Sequence, residues 1–147
     1  MHSMVGYAPA VFDLFHVGHL DLLRRAEAGC DRLVAGVYTD ELAESLLGYR
    51  PVVPLIERME IVGDVRHVAE VVVVAEPGLR AAWESIGFGR VFTGCPDGVA
   101  AEAAERELAG TGVRVVAFEG LAETGSAILR NALAGERPAQ DRRTSVA

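Results

Sequence analysis

The chain contains no lysine: all 14 of its basic residues are arginine, in a sequence of 147 residues with 21 acidic ones. Its formal net charge is -7, whereas proteins that bind nucleic acid usually present a basic face. The composition therefore disfavours nucleic acid as a partner. Any phosphate group that this chain binds must be held by arginine, histidine, backbone N–H groups or a metal ion.

Other features that the sequence lacks indicate the cellular compartment of the protein. Its two cysteines, Cys30 and Cys95, match neither a metal-binding nor a redox spacing. No hydrophobic run reaches the length of a membrane span, and residues 1–11 lack the basic region, apolar core and cleavage site of a secretory signal. We expect a reducing, cytoplasmic setting and no membrane partner.

Short apolar runs alternate with helix-like segments along the chain. The predicted strands, rich in apolar and β-branched residues, lie at 4–12, 31–39, 68–75, 90–94 and 113–118. The predicted helices, marked by apolar spacing and by terminal glycine or proline, lie at 19–29, 40–47, 55–66, 78–87, 97–110 and 124–135. This alternation predicts an α/β fold, a Rossmann-like, doubly wound sheet of five parallel strands.

The same pattern predicts the organisation of the chain. We expect a single domain over residues 1–134, followed by a polar, disordered tail at 135–147. Asp40 is predicted to cap the short helix that follows the second strand.

The stretch "VFDLFHVGH" (11–19) follows the first predicted strand, where a doubly wound sheet places its ligand. Its histidines, His16 and His19, have three interpretations. In the first interpretation they bind zinc, although the further ligands that zinc requires are not visible in the sequence. Alternatively, His16 caps a helix and His19 is an ordinary first-turn residue. In the third interpretation, Gly18 admits a phosphate to the helix N-terminus and the imidazoles stabilise the charge that develops on it.

The longer stretch "VFDLFHVGHLDLLRRA" resembles the first signature of the HxGH nucleotidyltransferase superfamily, and in particular of its cytidylyltransferase-like family. The segments at 31–41 and 50–73 are similar to later parts of the same family, so the resemblance covers residues 4–134. It implies transfer of CMP from CTP to a small, glycerol-3-phosphate-like phosphorylated alcohol, with release of pyrophosphate. It also implies Mg²⁺ as a cofactor and a homodimer as the assembled form.

The resemblance assigns expected roles to individual residues. His16, His19 and Arg58 are expected to contact the triphosphate and to stabilise the transition state. Asp40 and Arg50 are expected to contact the acceptor substrate. The residues expected to bind nucleotide or phosphate are Ala10, Val11, Phe12, Asp13, Gly18, Gly94, Asp97, Thr124, Gly125 and Ser126.

Several positions depart from the family pattern. Ala10 stands where relatives have glycine, which adds a methyl group where the nucleotide passes. The lysine often found before the Glu57–Arg58 pair is absent, and Gly125 interrupts the Ser/Thr cluster of the last helix. Asp97 is interpreted either as a family acid or as the cap of the next helix.

Two alternatives stand beside CTP-dependent transfer. One is an adenylyltransferase that uses ATP and a sugar or other small phosphate, because "YRPVVPLIER" (49–58) also resembles that branch. The other, suggested by Ala10, the absent lysine and Gly125, is a degenerate module that binds nucleotide without turnover. Since the changes lie in the acceptor and nucleotide-base regions, we expect an altered acceptor rather than lost catalysis.

Overall fold

The computed structural model describes residues 3–123 and Leu133. Its strands are β1 (Val5–Ala10), β2 (Arg32–Tyr38), β3 (Glu70–Val74), β4 (Arg90–Thr93) and β5 (Arg114–Ala117). Its helices are α1 (Val17–Ala28), α2 (Asp40–Leu47), α3 (Leu55–Gly63), α4 (Arg80–Ile86) and α5 (Ala101–Glu107). The predicted helix at 124–135, with Thr124, Gly125 and Ser126, and the predicted tail at 135–147 lie outside the described residues, Leu133 excepted.

The strands form one parallel sheet in the order β3-β2-β1-β4-β5. The central strand, β1, pairs with β2 from Val5↔Arg32 to Ala10↔Val37 and pairs with β4 on its other side. The chain therefore moves outward from β1 to β3 and then returns to β4, which creates a switch point between β1 and β4. This topology confirms the doubly wound α/β fold predicted from the sequence.

Helices cover both faces of the sheet, because its inner strands are apolar on both sides. On one face, Leu22 of α1 and Val62 of α3 belong to the core cluster that contains Phe92 of β4. On the other face, Ala104 of α5 packs in a second cluster with Tyr7 of β1. The carboxyl ends of the strands support the loops that form the candidate site, and Tyr38 at the end of β2 packs with Leu42 and Ala43 of α2.

Asp40 and Asp97 do not cap the helices for which the sequence analysis considered them. The N-cap of α2 is Thr39 rather than Asp40, because the Oγ1 of Thr39 accepts a hydrogen bond from the backbone N–H of Leu42 at 3.1 Å. The last described helix starts at Ala101 with Ala100 as its N-cap, so Asp97 does not cap it. Both aspartates have distant partners instead, which local spacing does not reveal.

None of the helices in the described part of the chain combines the length and the apolar character needed to cross a bilayer.

Candidate functional site

The loop that follows β1 has an unusual backbone. Phe12 and Leu14 adopt φ angles of 57° and 48°, in the left-handed region that side chains other than glycine rarely occupy. Asp13 lies between them with a fully buried side chain. Its carboxylate accepts hydrogen bonds from the backbone N–H groups of Val52 and Val53, both at 2.9 Å. These bonds tie the loop to the segment before α3 and stabilise its strained residues.

The two motif histidines cap the N-terminus of α1 reciprocally. The Nδ1 atom of His16 accepts a hydrogen bond from the backbone N–H of Gly18 at 3.0 Å, and that of His19 accepts one from the backbone N–H of His16 at 3.3 Å. Their ring centroids are 3.9 Å apart. The capping interpretation of His16 is thus confirmed. For His16 the cap is compatible with phosphate binding, because it uses Nδ1 and Nε2 lies on the opposite edge of the ring. For His19, whose Nε2 is bonded to Asp97, contact with phosphate stays a prediction.

Asp97 connects the segment after β4 to both the loop and α1. Its Oδ2 atom accepts hydrogen bonds from the Nε2 of His19 at 2.9 Å and from the backbone N–H of Phe12 at 3.1 Å. Because the Nδ1 of neutral His19 accepts a hydrogen bond, its ring proton must be on Nε2, which donates to Asp97. His19 is therefore held in one orientation and one tautomer.

The environment also sets the charge of Asp97. Burial alone would raise the pKa of this carboxyl group, but the hydrogen bonds from His19 and from the backbone of Phe12 lower the pKa below its usual value. Asp97 is a carboxylate at neutral pH, and its other oxygen, Oδ1, is buried and has no hydrogen-bond partner among the residues that the structure describes. Its observed contacts position the loop and His19, and its contact with nucleotide stays a prediction.

Arg58 lies beneath the loop with no exposed surface. Its Nε donates to the carbonyl of Val53 at 2.8 Å, and its Nη1 donates to the carbonyls of Val11 and Tyr38, both at 2.7 Å. Its Nη2 pairs with the Oδ1 of Asp40 at 2.5 Å. The guanidinium thus joins the loop, the end of β2 and the start of α2. Contact with a triphosphate stays a prediction, while these four partners give Arg58 a structural role.

Gly18 is required by the segment that follows β5. A Cβ atom at position 18 would lie 2.8 Å from the carbonyl oxygen of Ala122 and 2.9 Å from Cε1 of His16. This segment is held against α1 because Asp21 accepts a hydrogen bond from the N–H of Ala122 at 3.1 Å, and Arg25 donates to the carbonyl of Glu119 at 3.0 Å.

The sequence analysis did not identify Asp21 and Arg25 as residues that support the site. Their spacing of four residues on a helix predicts an ion pair, and they form one at 3.0 Å. Burial would raise the pKa of Asp21, but hydrogen bonds from Arg24, Ala122 and Arg25 lower it below its usual value. The pair was detectable from the sequence, whereas its contacts with residues after β5 were not.

The remaining predicted residues lie in different environments. Ala10, Val11 and Phe12 have buried side chains, so the Ala10 methyl group belongs to the core and does not narrow an open passage. Gly94 has a φ of 143°, and a Cβ there would lie 2.7 Å from the carbonyl oxygen of Phe118. Backbone contacts of these residues with a nucleotide stay predictions.

Arg50, the predicted acceptor contact, lies on the surface beside α2. Its guanidinium is 3.8 Å from a carboxylate oxygen of Asp40, 3.5 Å from one of Glu41 and 3.3 Å from one of Glu44. The acids around Arg50 also raise the pKa of its guanidinium, chiefly through the hydrogen bond to Glu44. Arg50 and Asp40 thus lie close together, and their contact with an acceptor substrate stays a prediction.

The model of the cytidylyltransferase-like family matches residues 7–106, a range that contains the capped histidines, Arg58 and Asp97. The chain belongs to the cytidylyltransferase-like family. The resemblance inferred from the HxGH stretch is therefore confirmed.

Curated relatives of this cytidylyltransferase-like chain carry different names. It is 41% identical over 73 residues to the bifunctional protein HldE of Acidiphilium cryptum, covering 49% of this chain and 15% of that protein. It is 40% identical over 70 residues to ethanolamine-phosphate cytidylyltransferase of Arabidopsis thaliana, covering 47% and 17%. It is 38% identical over 68 residues to FAD synthase of Pyrococcus abyssi, covering 46% and 45%. The matched segments thus span less than half of each relative.

Solved structures support the fold. The lipopolysaccharide core biosynthesis protein from Thermoplasma volcanium GSS1 superposes with a TM-score of 0.74 at 19% identity, covering 82% of this chain and 100% of that one. At this identity the match shows a shared fold and does not bear on activity.

In the described part of the cytidylyltransferase-like site, the potential metal ligands do not fit a metal held by the protein. The potential ligand atoms of His19, Cys95 and Asp97 all lie within 4.8 Å of one another, but Mg²⁺ prefers oxygen ligands. Zinc would need an unprotonated Nε2 on His19, whereas the cap at Nδ1 keeps the proton there. Burial and the nearby Asp97 raise the pKa of the Cys95 thiol to about 12, which disfavours the thiolate that metals bind.

Proposed function

We propose that this chain transfers CMP from CTP to a small phosphorylated alcohol and releases pyrophosphate. The observation that carries the proposal is the pair of oriented histidines, His16 and His19, at the N-terminus of α1 in a chain of the cytidylyltransferase-like family. A phosphate oxygen of the acceptor attacks the α-phosphorus of CTP and forms a new P–O bond. The bond from that phosphorus to the oxygen bridging to the β-phosphate breaks, and its electron pair leaves with pyrophosphate.

The contribution of the protein to such a step is positioning and stabilisation of charge, because both reactants are phosphates. The N-terminus of α1 presents its positive dipole end to an anion, and the Nε2 of His16 donates a hydrogen bond to a phosphate oxygen in the transition state. His19, whose ring is bonded to Asp97 and to the backbone of His16, holds this helix start in place. Thr124, Gly125 and Ser126 are proposed to add further phosphate contacts. Mg²⁺ is proposed to accompany the triphosphate, bound by its oxygens rather than by a set of protein ligands.

Pyrophosphate release with CTP, Mg²⁺ and a panel of phosphorylated alcohols tests the proposal. Removing a group that stabilises transition-state charge lowers kcat by about 100-fold or more, so His16→Ala should have this effect. His67→Gln is the matched control, because His67 pairs with Glu27 away from the loop. Turnover of His16→Ala at the wild-type rate would refute the role of this motif. Nucleotide binding without pyrophosphate from any acceptor would favour the binding module.

ATP is the second candidate donor. It is favoured by the similarity to FAD synthases, which are named for a product that contains adenine. A ligand that binds only the native state at 100 times its Kd raises the free energy of unfolding by about 2.7 kcal/mol. We expect CTP with Mg²⁺ to raise the melting temperature more than ATP with Mg²⁺ does. The opposite order would assign the chain to adenylyl transfer.

The homodimer implied by the family is part of the proposal. Sedimentation equilibrium at several protein concentrations tests it, with a mass of twice the 15.6 kDa chain expected. A concentration-independent mass of one chain would contradict it.

A further inference from the structure

A first cavity, of about 300 Å³, lies beyond the carboxyl ends of β1, β2 and β3, where Pro9, Tyr38 and Val74 line it. It adjoins the candidate site, because Asp97 also lines it and accepts the hydrogen bond from His19. A small molecule bound in this cavity therefore lies beside the residues that orient the motif histidines. The rest of its wall is mostly aliphatic and includes Leu42, Leu46, Leu47, Leu79, Val99 and Ala103.

The acidic residues that line the first cavity direct little charge into it. The Oε2 of Glu107 accepts a hydrogen bond from the backbone N–H of Leu79 at 2.6 Å. The Oδ2 of Asp97 is bonded to His19 and to the backbone of Phe12, and its Oδ1 is buried. Glu76 is exposed, so its charge is solvated at the rim. Aliphatic carbon is thus the main surface that the first cavity offers to a ligand.

A second cavity, of about 310 Å³, continues from the first between β3 and α4. The walls of the two cavities share Tyr7, Val74, Glu76 and Gly78. No residue of α4 is fully buried, and Val73 of the edge strand β3 keeps 49% of its surface exposed. An apolar space therefore runs from beside Asp97 to the edge of the sheet. The other residues that line its second part include Val72, Val73, Ala81, Ala82, Ser85 and Ile86.

We infer that the two cavities receive an aliphatic chain, and that the acceptor is therefore the phosphate of an alcohol with a hydrocarbon tail. The inference rests on the proposed function and names its substrate class. Removal of the tail from water drives its binding, whereas the hydroxyl groups of a polyol would lose their hydrogen bonds with water against aliphatic walls. No arginine or histidine among the described residues lines either cavity. The phosphate group therefore stays outside them and reaches past Asp97 towards His16, where it attacks the nucleotide.

A series of n-alkyl phosphates tests the inference, with CTP and Mg²⁺ present and pyrophosphate release as the measurement. One buried methylene group changes binding about fourfold. Wild-type kcat/KM should therefore rise by about this factor for each carbon added from propyl phosphate towards octyl phosphate, until the chain fills the space. Propyl phosphate should also be a better acceptor than glycerol 3-phosphate, which has the same carbon skeleton with hydroxyl groups added.

Variants at the walls test where the chain lies. Leu46→Asp, at an exposed position that lines the first cavity, should lower kcat/KM for octyl phosphate about tenfold or more. Ser85→Trp, at an exposed position that lines the second cavity, should end the rise at a shorter chain than in the wild type. Ile61→Asp is the matched control, because Ile61 is a similarly exposed apolar residue that lines neither cavity. None of the three variants should change KM for CTP.

The other outcomes separate this inference from the proposed function. A kcat/KM that is independent of chain length, or a rise that Leu46→Asp leaves unchanged, would overturn the inference and leave nucleotidyl transfer intact. A raised KM for CTP in Leu46→Asp would overturn it by assigning the first cavity to the nucleobase.

If no acceptor yields pyrophosphate, the proposed function fails, and calorimetric titration with octyl phosphate decides alone. Binding that Leu46→Asp weakens and Ile61→Asp does not would then support the hydrocarbon site. Absence of binding, or equal binding by the wild type and both variants, would overturn it.

Discussion

His19 has both ring nitrogens in hydrogen bonds, one with the backbone of His16 and the other with Asp97. Its orientation is therefore set before any substrate arrives, which lowers the reorganisation required in a transition state. Asp13 is fixed in the same way, because each of its two carboxylate oxygens accepts a hydrogen bond from one backbone N–H group. These polar side chains form hydrogen bonds with backbone groups around the loop, and the geometry of the site depends on those bonds.

Among the single residues, Arg58 provides the sharpest test of how a buried side chain supports the loop. Arg58→Lys keeps the positive charge but loses the planar fork that reaches three carbonyls and Asp40. We expect the free energy of unfolding to fall by about 3 kcal/mol, because buried partners lose their donors. Urea denaturation measures this loss, and Arg66→Lys, an exposed position after α3, should show almost none. Wild-type stability combined with lost turnover would instead favour direct contact of Arg58 with the triphosphate.

Among the elements, α1 is closely contacted by other segments at its first turn. The loop after β1 leads into its reciprocal histidine cap, and the segment after β5 crosses Gly18 so closely that a Cβ would meet the carbonyl of Ala122. Helix α1 thus contacts both the loop that follows β1 and the segment that follows β5. Its N-terminus is held in place from two directions.

Replacing one glycine by alanine in each of two helices distinguishes the steric effect of this close approach from the effect of alanine on helix stability. Gly18→Ala should lower the free energy of unfolding by about 1–3 kcal/mol, since the new methyl group displaces the segment after β5 or the His16 ring. It should also raise KM for the nucleotide. Gly63→Ala should raise stability by about 0.5 kcal/mol, because its Cβ would meet only Val71 Cγ2 at 3.6 Å. Equal stability of the two variants in thermal melts would contradict the close approach at Gly18.

For the whole molecule, the balance of charge determines how stability depends on pH. The formal net charge is -7, and two buried aspartates, Asp21 and Asp97, have pKa values lowered in the folded protein by their hydrogen bonds, although burial opposes the shift. Such groups stabilise the folded state fully above the ordinary aspartate pKa. As the pH falls through that value, the unfolded chain binds protons first and the stabilisation is lost.

The free energy of unfolding should therefore decrease as the pH falls from about 5 to about 3, which is roughly the range in which the aspartates of the unfolded chain titrate. Asp21→Asn should be less stable than the wild type at pH 7, and the difference should shrink as the pH falls to 3. Asp64→Asn, at an exposed position after α3, should follow the wild-type curve. A difference between Asp21→Asn and the wild type that stays constant with pH would show that the charge of Asp21 contributes nothing. Urea titrations at each pH supply the measurement.

The sequence by itself determined the element order, the parallel sheet and the place of the HxGH stretch at the end of β1, because apolar periodicity and helix-terminal residues act over a few neighbouring positions. It also identified His16 as a possible cap. Only the tertiary structure decided the partners of the polar residues: His19 bonds to Asp97 from 78 positions away, and Asp21 bonds to Ala122 from 101 positions away. Such pairs form when the sheet brings distant segments together, and no local pattern in one sequence specifies which buried donor will meet which acceptor.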